Sequence, residues 1–141
     1  MSSLAILNPL TGLQSFGIVP SLKLSGVMLP EAPIHLPLRR HIGPNKGFGA
    51  RHIWAEHRIE MERSGHISEA DVPLYVLSII RVGTPLYFEG AIWQQTRLMA
   101  VRSATGTAVV EFRERRDASV WSVVTAFSGT KTHGSRVGTV R

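Results

Sequence analysis

The sequence predicts an α+β domain. N-terminal helices should pack on one face of a small twisted antiparallel sheet. Two observations carry that expectation. From Thr96 onward, alternating apolar segments are separated by short turn-rich stretches. Between Ala50 and Val82, apolar residues instead recur at helical spacing. A chain of 141 residues that is 43% apolar has enough material for one buried core.

Residues 1 to 33 contain Pro9, Pro20, Pro30 and Pro33, and no helical or strand period persists there. They read as a leader, a linker or a packing arm, with the domain proper spanning 34–141. The first residues lack the positive flank of a secretory signal. Ile34 to Arg40 reads as a short strand, which Pro37 should confine to a sheet edge. Gly43 to Gly49 reads as a flexible loop.

Ala50 to Arg63 reads as a helix, with Ile53, Trp54, His57 and Met61 near one face. Gly65 fits its C-terminal cap. Ser68 and Asp71 have capping-box spacing. A second helix should run from Val72 to about Val82, with Pro73 in its first turn.

Gly83-Thr84-Pro85 ends that helix. Strands follow over Leu86 to Trp93, Arg97 to Arg102, Thr107 to Glu114 and Ser119 to Phe127, forming a meander. The tail should finish as a strand at RVGTV. Alternation places Ala108, Val110 and Phe112 toward the helices, with Thr107, Val109, Glu111 and Arg113 facing away. On the next strand, Trp121, Val123, Thr125 and Phe127 should share one face.

Charge narrows the function. Sixteen Lys and Arg oppose ten acids, for a net charge of +6, and the pI is near 10.8. Most of the cations are arginines, which pair bidentately with phosphate. A polyanionic partner such as nucleic acid is expected. The absence of cysteine excludes disulfides and thiolate zinc sites. No apolar run is long enough to span a membrane.

His52 and His57 lie five residues apart in RHIWAEH. That spacing turns about 140° around a helix, so the rings do not converge on a metal as in H-E-x-x-H. Either histidine can instead serve as a general base. Arg97 can clamp a phosphate or pair with Glu111 or Glu114. Glu111 can act as base or orient a neighbour. Thr125 can donate a hydroxyl to a phosphate oxygen. Lys131, Thr132, His133 and Arg136 lie in a loop suited to wrapping a phosphate backbone. No nucleotide-binding glycine fingerprint and no G-x-S-x-G occurs.

GFGARHIWAEHRIEM, followed by RLMAVRS, TAVVEFRE and WSVVTAF, resembles the barnase–EndoU–colicin–RelE superfamily of small ribonucleases. The likeness covers about residues 34 to 141. It is greatest to the branch found as toxin tips of bacterial contact-dependent inhibition proteins and in phage-encoded proteins. Such toxins usually end very long proteins, whereas this chain begins with Met1 and a proline-broken leader. A cut-out domain, a free-standing cassette and a phage product are the alternatives.

The resemblance implies metal-independent cleavage of RNA, tRNA in many members, by attack of a 2′-hydroxyl on the adjacent phosphate. It implies catalytic roles for His52 and Thr125, then Arg97 and Glu111, then His57 and Lys131. Arg102, Arg113, Thr132 and Arg136 are the expected RNA contacts. No cofactor is expected, because RNA carries its own nucleophile. A monomeric enzyme, blocked by a cognate immunity protein and acting in a bacterial cytoplasm after export in a larger effector, completes the expectation. The competing readings are a basic nucleic-acid-binding module without catalysis, such as a phage-particle component, and a structural protein that docks an acidic partner.

Overall fold

The computed structural model describes residues 5–24, 26–38, 41–43, 46–47, 49–88, 98–114, 118–131 and 134–141. In chain order the elements are β1 (Ala5–Ile6), β2 (Ile18–Val19), β3 (Leu22–Leu24), β4 (Val27–Leu29), β5 (Ala32–Pro37), β6 (His41–Gly43), β7 (Lys46–Gly47), α1 (Ala50–Arg63), α2 (Val72–Ile79), β8 (Pro85–Phe88), β9 (Leu98–Arg102), β10 (Thr107–Arg113), β11 (Val120–Phe127) and β12 (Ser135–Thr139). A single 3-10 turn, Glu69–Asp71, leads into α2. β3 with β4, and β6 with β7, form separate two-stranded hairpins.

The main sheet has the order β1-β5-β11-β10-β9-β8-β12, with β2 also on β5. The α+β class and the meander from β8 to β11 match the sequence reading. The sheet is mixed rather than antiparallel, because β5 runs parallel to β11 with Ile34 opposite Trp121 and Ser122 opposite His35.

β5 is therefore an interior strand, not an edge, with β1 and β2 on its other side. Proline is tolerated because Pro37 is the last residue of β5. Extending the parallel register sets Pro37, which has no N–H, beside Val124. The Val124 carbonyl instead accepts the Gly49 N–H at 3.0 Å.

Residues 5 to 33 supply four strands, although no period marks them. Backbone pairing carries them: Ile34 exchanges hydrogen bonds with Phe16 and Gly17 (2.8 Å each), and Ile18 with Arg141 (3.0 and 2.8 Å). The Ile18–Arg141 exchange joins the two ends of the sheet order, since β2 lies on β5 and Arg141 follows β12. Gly17 is required there. Its φ is +149°, and a Cβ would meet Val140 Cγ1 at 2.7 Å.

Alternation on β10 holds from Ala108 to Arg113, whereas Thr107, expected among the residues facing away, is buried. Ala108, Val110 and Phe112 are buried, while Val109, Glu111 and Arg113 are half-buried on the other face. On β11 it breaks. A bulge falls where Val109 pairs with Thr125 but Val110 pairs with Val123. Trp121, Val123 and Ala126 therefore share the core face, and Thr125 and Phe127 leave the set the alternation had assigned them.

The core joins this face to Ala50, Ile53 and Met61 of α1 and to Val72, Val76 and Ile79 of α2. Trp121 is fully buried and packs on Phe112 with ring centroids 5.2 Å apart. Each such side chain contributes about 1.5–3 kcal/mol by leaving water.

α1 spans Ala50 to Arg63 as expected, and Gly65 follows its cap with φ +89°. α2 stops at Ile79, short of Val82, because Ile80 is already extended. Asp71 does not join Ser68 in a capping box. Its carboxylate accepts the Ile67 N–H at 2.9 Å. No helix among the described residues is long and apolar enough to cross a membrane.

Candidate functional site

α1 lies alongside the end of β11. Gly49 N–H donates to Val124 O at 3.0 Å, and Ser128 N–H donates to Glu60 Oε1 at 2.7 Å. From Gly49 to Glu60 a helix rises about 16 Å. From Val124 to Ser128 a strand rises about 13 Å. The two segments therefore run side by side, held at both ends.

His57 sits in this seam. Its backbone leaves helical geometry (φ −128°, ψ 18°). Its ring lies 5.8 Å from that of Phe127, and Nδ1 lies 2.6 Å from Glu60 Oε2. The other carboxylate oxygen of Glu60 accepts both the Ser128 N–H and the Ser128 hydroxyl, each at 2.7 Å. Burial pushes the Glu60 carboxyl up. The Ser128 hydroxyl and backbone hydrogen bonds, with the hydrogen bond and charge of His57, outweigh burial and hold it below its ordinary 4.5.

The contact sets the Glu60 carboxylate against Nδ1 of His57 and leaves Nε2 on the other side of the ring. Glu60 thus holds the ring orientation of His57, the arrangement that a carboxylate and histidine have in catalytic triads. Tyr75 lies nearby. Burial, then the negative charge of Glu60, pushes its phenol up to about 12, so it stays neutral.

The loop after β11 is gripped residue by residue. Glu60 holds Ser128, Thr107 Oγ1 donates to Gly129 O at 2.6 Å, and Arg102 Nη1 donates to Thr130 O at 3.2 Å. Arg102 Nη2 also donates to Tyr87 Oη at 2.6 Å, and its guanidinium lies 4.4 Å from the Tyr87 ring centroid. Two residues of chain span at most about 7 Å, so the His57–Glu60 end and the Arg102 end of this loop are close.

Lys131 follows, exposed. Arg136 on β12 pairs in register with Tyr87. Arg102 and Lys131 therefore lie at the loop, and Arg102 and Arg136 at the tyrosine.

A second polar group occupies the outer sheet face. Leu98, Glu111, Ser122 and His35 lie in one register row across β9, β10, β11 and β5. Glu111 Oε1 pairs with Arg113 Nη2 at 2.9 Å. Such a partly exposed pair contributes about 0–1 kcal/mol. Thr125 Oγ1 is buried and has no hydrogen-bond partner among the described residues.

The structure thus brings His57, Arg102 and Lys131 to the loop after β11, sets Arg136 beside Tyr87 on β12, and sets Glu111, Arg113 and Thr125 on the sheet face. His52 is buried in the first turn of α1, about 200° around the helix from Ala50 and so away from the Ala50–Ile53–Met61 stripe. Arg97 and Thr132 lie outside the described residues. No group of three or more His, Asp or Glu that could hold a metal occurs among the described residues.

The sequence reading missed Glu60, Ser128 and Tyr87. Glu60 had a signal: a carboxylate three residues after His57 on a helix faces it. Ser128 and Tyr87 had none, because long-range pairing brings them in.

Comparison of the chain with known protein families, curated proteins and solved structures returns no match.

Proposed function

We propose that this protein is a metal-independent RNA endonuclease with His57 as its general base. The observation that carries this reading is the 2.6 Å contact between His57 Nδ1 and Glu60 Oε2, beside a loop that Arg102 holds and Lys131 follows. The sequence offers both His52 and His57 as bases; His57 is the better placed, partly exposed beside the loop after β11, whereas His52 is buried in the first turn of α1.

In this mechanism Nε2 of His57 removes the proton from a ribose 2′-hydroxyl. The 2′-oxygen bonds to the adjacent phosphorus, the bond to the 5′-oxygen breaks, and a proton from solvent completes the 5′-hydroxyl. The other product is a 2′,3′-cyclic phosphate. Arg102 and Lys131 balance the charge that builds on the phosphate oxygens. A positioned base contributes on the order of 10² to 10⁴ in rate. Glu60 is a positioning residue.

The toxin role, tRNA as target and a cognate immunity protein as partner rest on the sequence resemblance alone. The test is incubation with total RNA in EDTA, followed by mapping of the ends. Cyclic-phosphate and 5′-hydroxyl ends are expected. RNA that is bound but left intact would replace this reading with a non-catalytic binding module.

A further inference from the structure

On the far side of α2 from the sheet core, a groove of about 530 Å³ runs between the N-terminal arm and the helix. That volume is in the range of small-ligand sites. Leu10, Phe16, Leu74, Leu77, Ile80 and Val82 make its walls apolar. Leu10 and Val82 are 77% and 83% exposed, a large uncovered apolar surface for one place on a protein.

The polar groups of the lining are mostly spoken for. Asn8 Oδ1 accepts the Leu10 N–H at 2.9 Å, and its Nδ2 donates to Ser15 O at 3.2 Å. Ser78 Oγ donates to Tyr75 O at 2.6 Å. Arg81 is different. Its Nε leans back to Leu77 O at 3.4 Å, over the helix that forms one wall, and no carboxylate pairs with it among the described residues. A guanidinium has five donors, so its terminal nitrogens remain available at the groove.

An apolar trough whose open polar group, among the described residues, is a cation selects a ligand of the opposite make-up: an alkyl chain that ends in one anion. We propose that this groove binds an amphiphilic carboxylate, with the chain along Leu74, Leu77 and Phe16 and the carboxylate on Arg81. The inference is independent of the ribonuclease reading.

The test uses the full chain and a series from octanoate to dodecanoate, each below its micelle concentration, by titration calorimetry. One site per chain is expected, tightening up to about fourfold per methylene until the groove is filled. Dodecyltrimethylammonium, of equal chain length and opposite charge, should bind more weakly. Arg81→Gln should weaken dodecanoate by up to about fivefold, the upper scale of an exposed ion pair, while Arg63→Gln should not.

Equal loss in both variants, equal binding of the cationic amphiphile, or no chain-length dependence would overturn the proposal. So would binding to anionic phospholipid vesicles without binding of monomeric dodecanoate, which would make the groove a membrane contact.

Discussion

His57 Nδ1 lies 2.6 Å from Glu60 Oε2, and the other oxygen of the same carboxylate holds both the hydroxyl and the backbone N–H of Ser128. One side chain on α1 therefore orients a histidine and fixes the loop that leaves β11. Orientation of His57 and placement of the loop are coupled, and a change at Glu60 is expected to reach both.

Acid should weaken this junction in a defined direction. The folded-state pKa of Glu60 lies below its ordinary 4.5. Its contribution to stability is therefore complete above 4.5 and is lost as pH falls through the folded value. Urea unfolding of wild type and Glu60→Gln should differ by a constant amount near neutral pH, and the difference should shrink below pH 4.5. A difference that grows on acidification would contradict the assigned shift.

Gly106 leaves no space for a side chain. A Cβ would sit 2.4 Å from the Phe127 carbonyl oxygen, a backbone atom that cannot swing aside. Gly106→Ala should cost about 1–3 kcal/mol in urea unfolding. Because Ser128 follows Phe127, RNA cleavage should fall by more than the loss of folded protein explains.

Arg102 should read out as a phosphate contact. Arg102→Ala is expected to weaken RNA binding across sequences and to lower the slope of log affinity against log salt by about 0.7 for single-stranded RNA. An unchanged slope would mean that its bonds to Tyr87 and Thr130 are purely structural.

Much of the fold could be read from local patterns, because local rules govern those parts. The helix from Ala50 to Arg63, the Gly65 cap and the strands of the meander follow from periodicity and turn chemistry. Three features escape such rules. The parallel pairing of β5 with β11 joins residues more than eighty apart in sequence. The strands before Pro33 are two or three residues long, too short to show a period. The bulge opposite Val109 and Val110 shifts every later β11 residue by one place, so Thr125 and Ala126 exchange the faces that strict alternation assigns.

The candidate site divides in the same way. His57, Arg102, Lys131 and Arg136 stand out by residue type, whereas the grouping around the Ser128–Thr130 loop depends on contacts such as Arg102 to Thr130 that no spacing encodes. His52 stood out for the same reason as His57. His52 is buried in the first turn of α1, whereas His57 is partly exposed at the seam with β11.

The central claim is that Glu60 orients His57 as the base of RNA cleavage. Single-turnover cleavage of RNA in EDTA, compared for wild type, His57→Gln, Glu60→Gln and His52→Gln at matched folded fraction, tests it most directly. The account expects His57→Gln to lose on the order of 10² or more in rate, Glu60→Gln to lose rate with RNA affinity retained, and His52→Gln to stay near wild type. Full activity in His57→Gln, or a loss confined to His52→Gln, would contradict it.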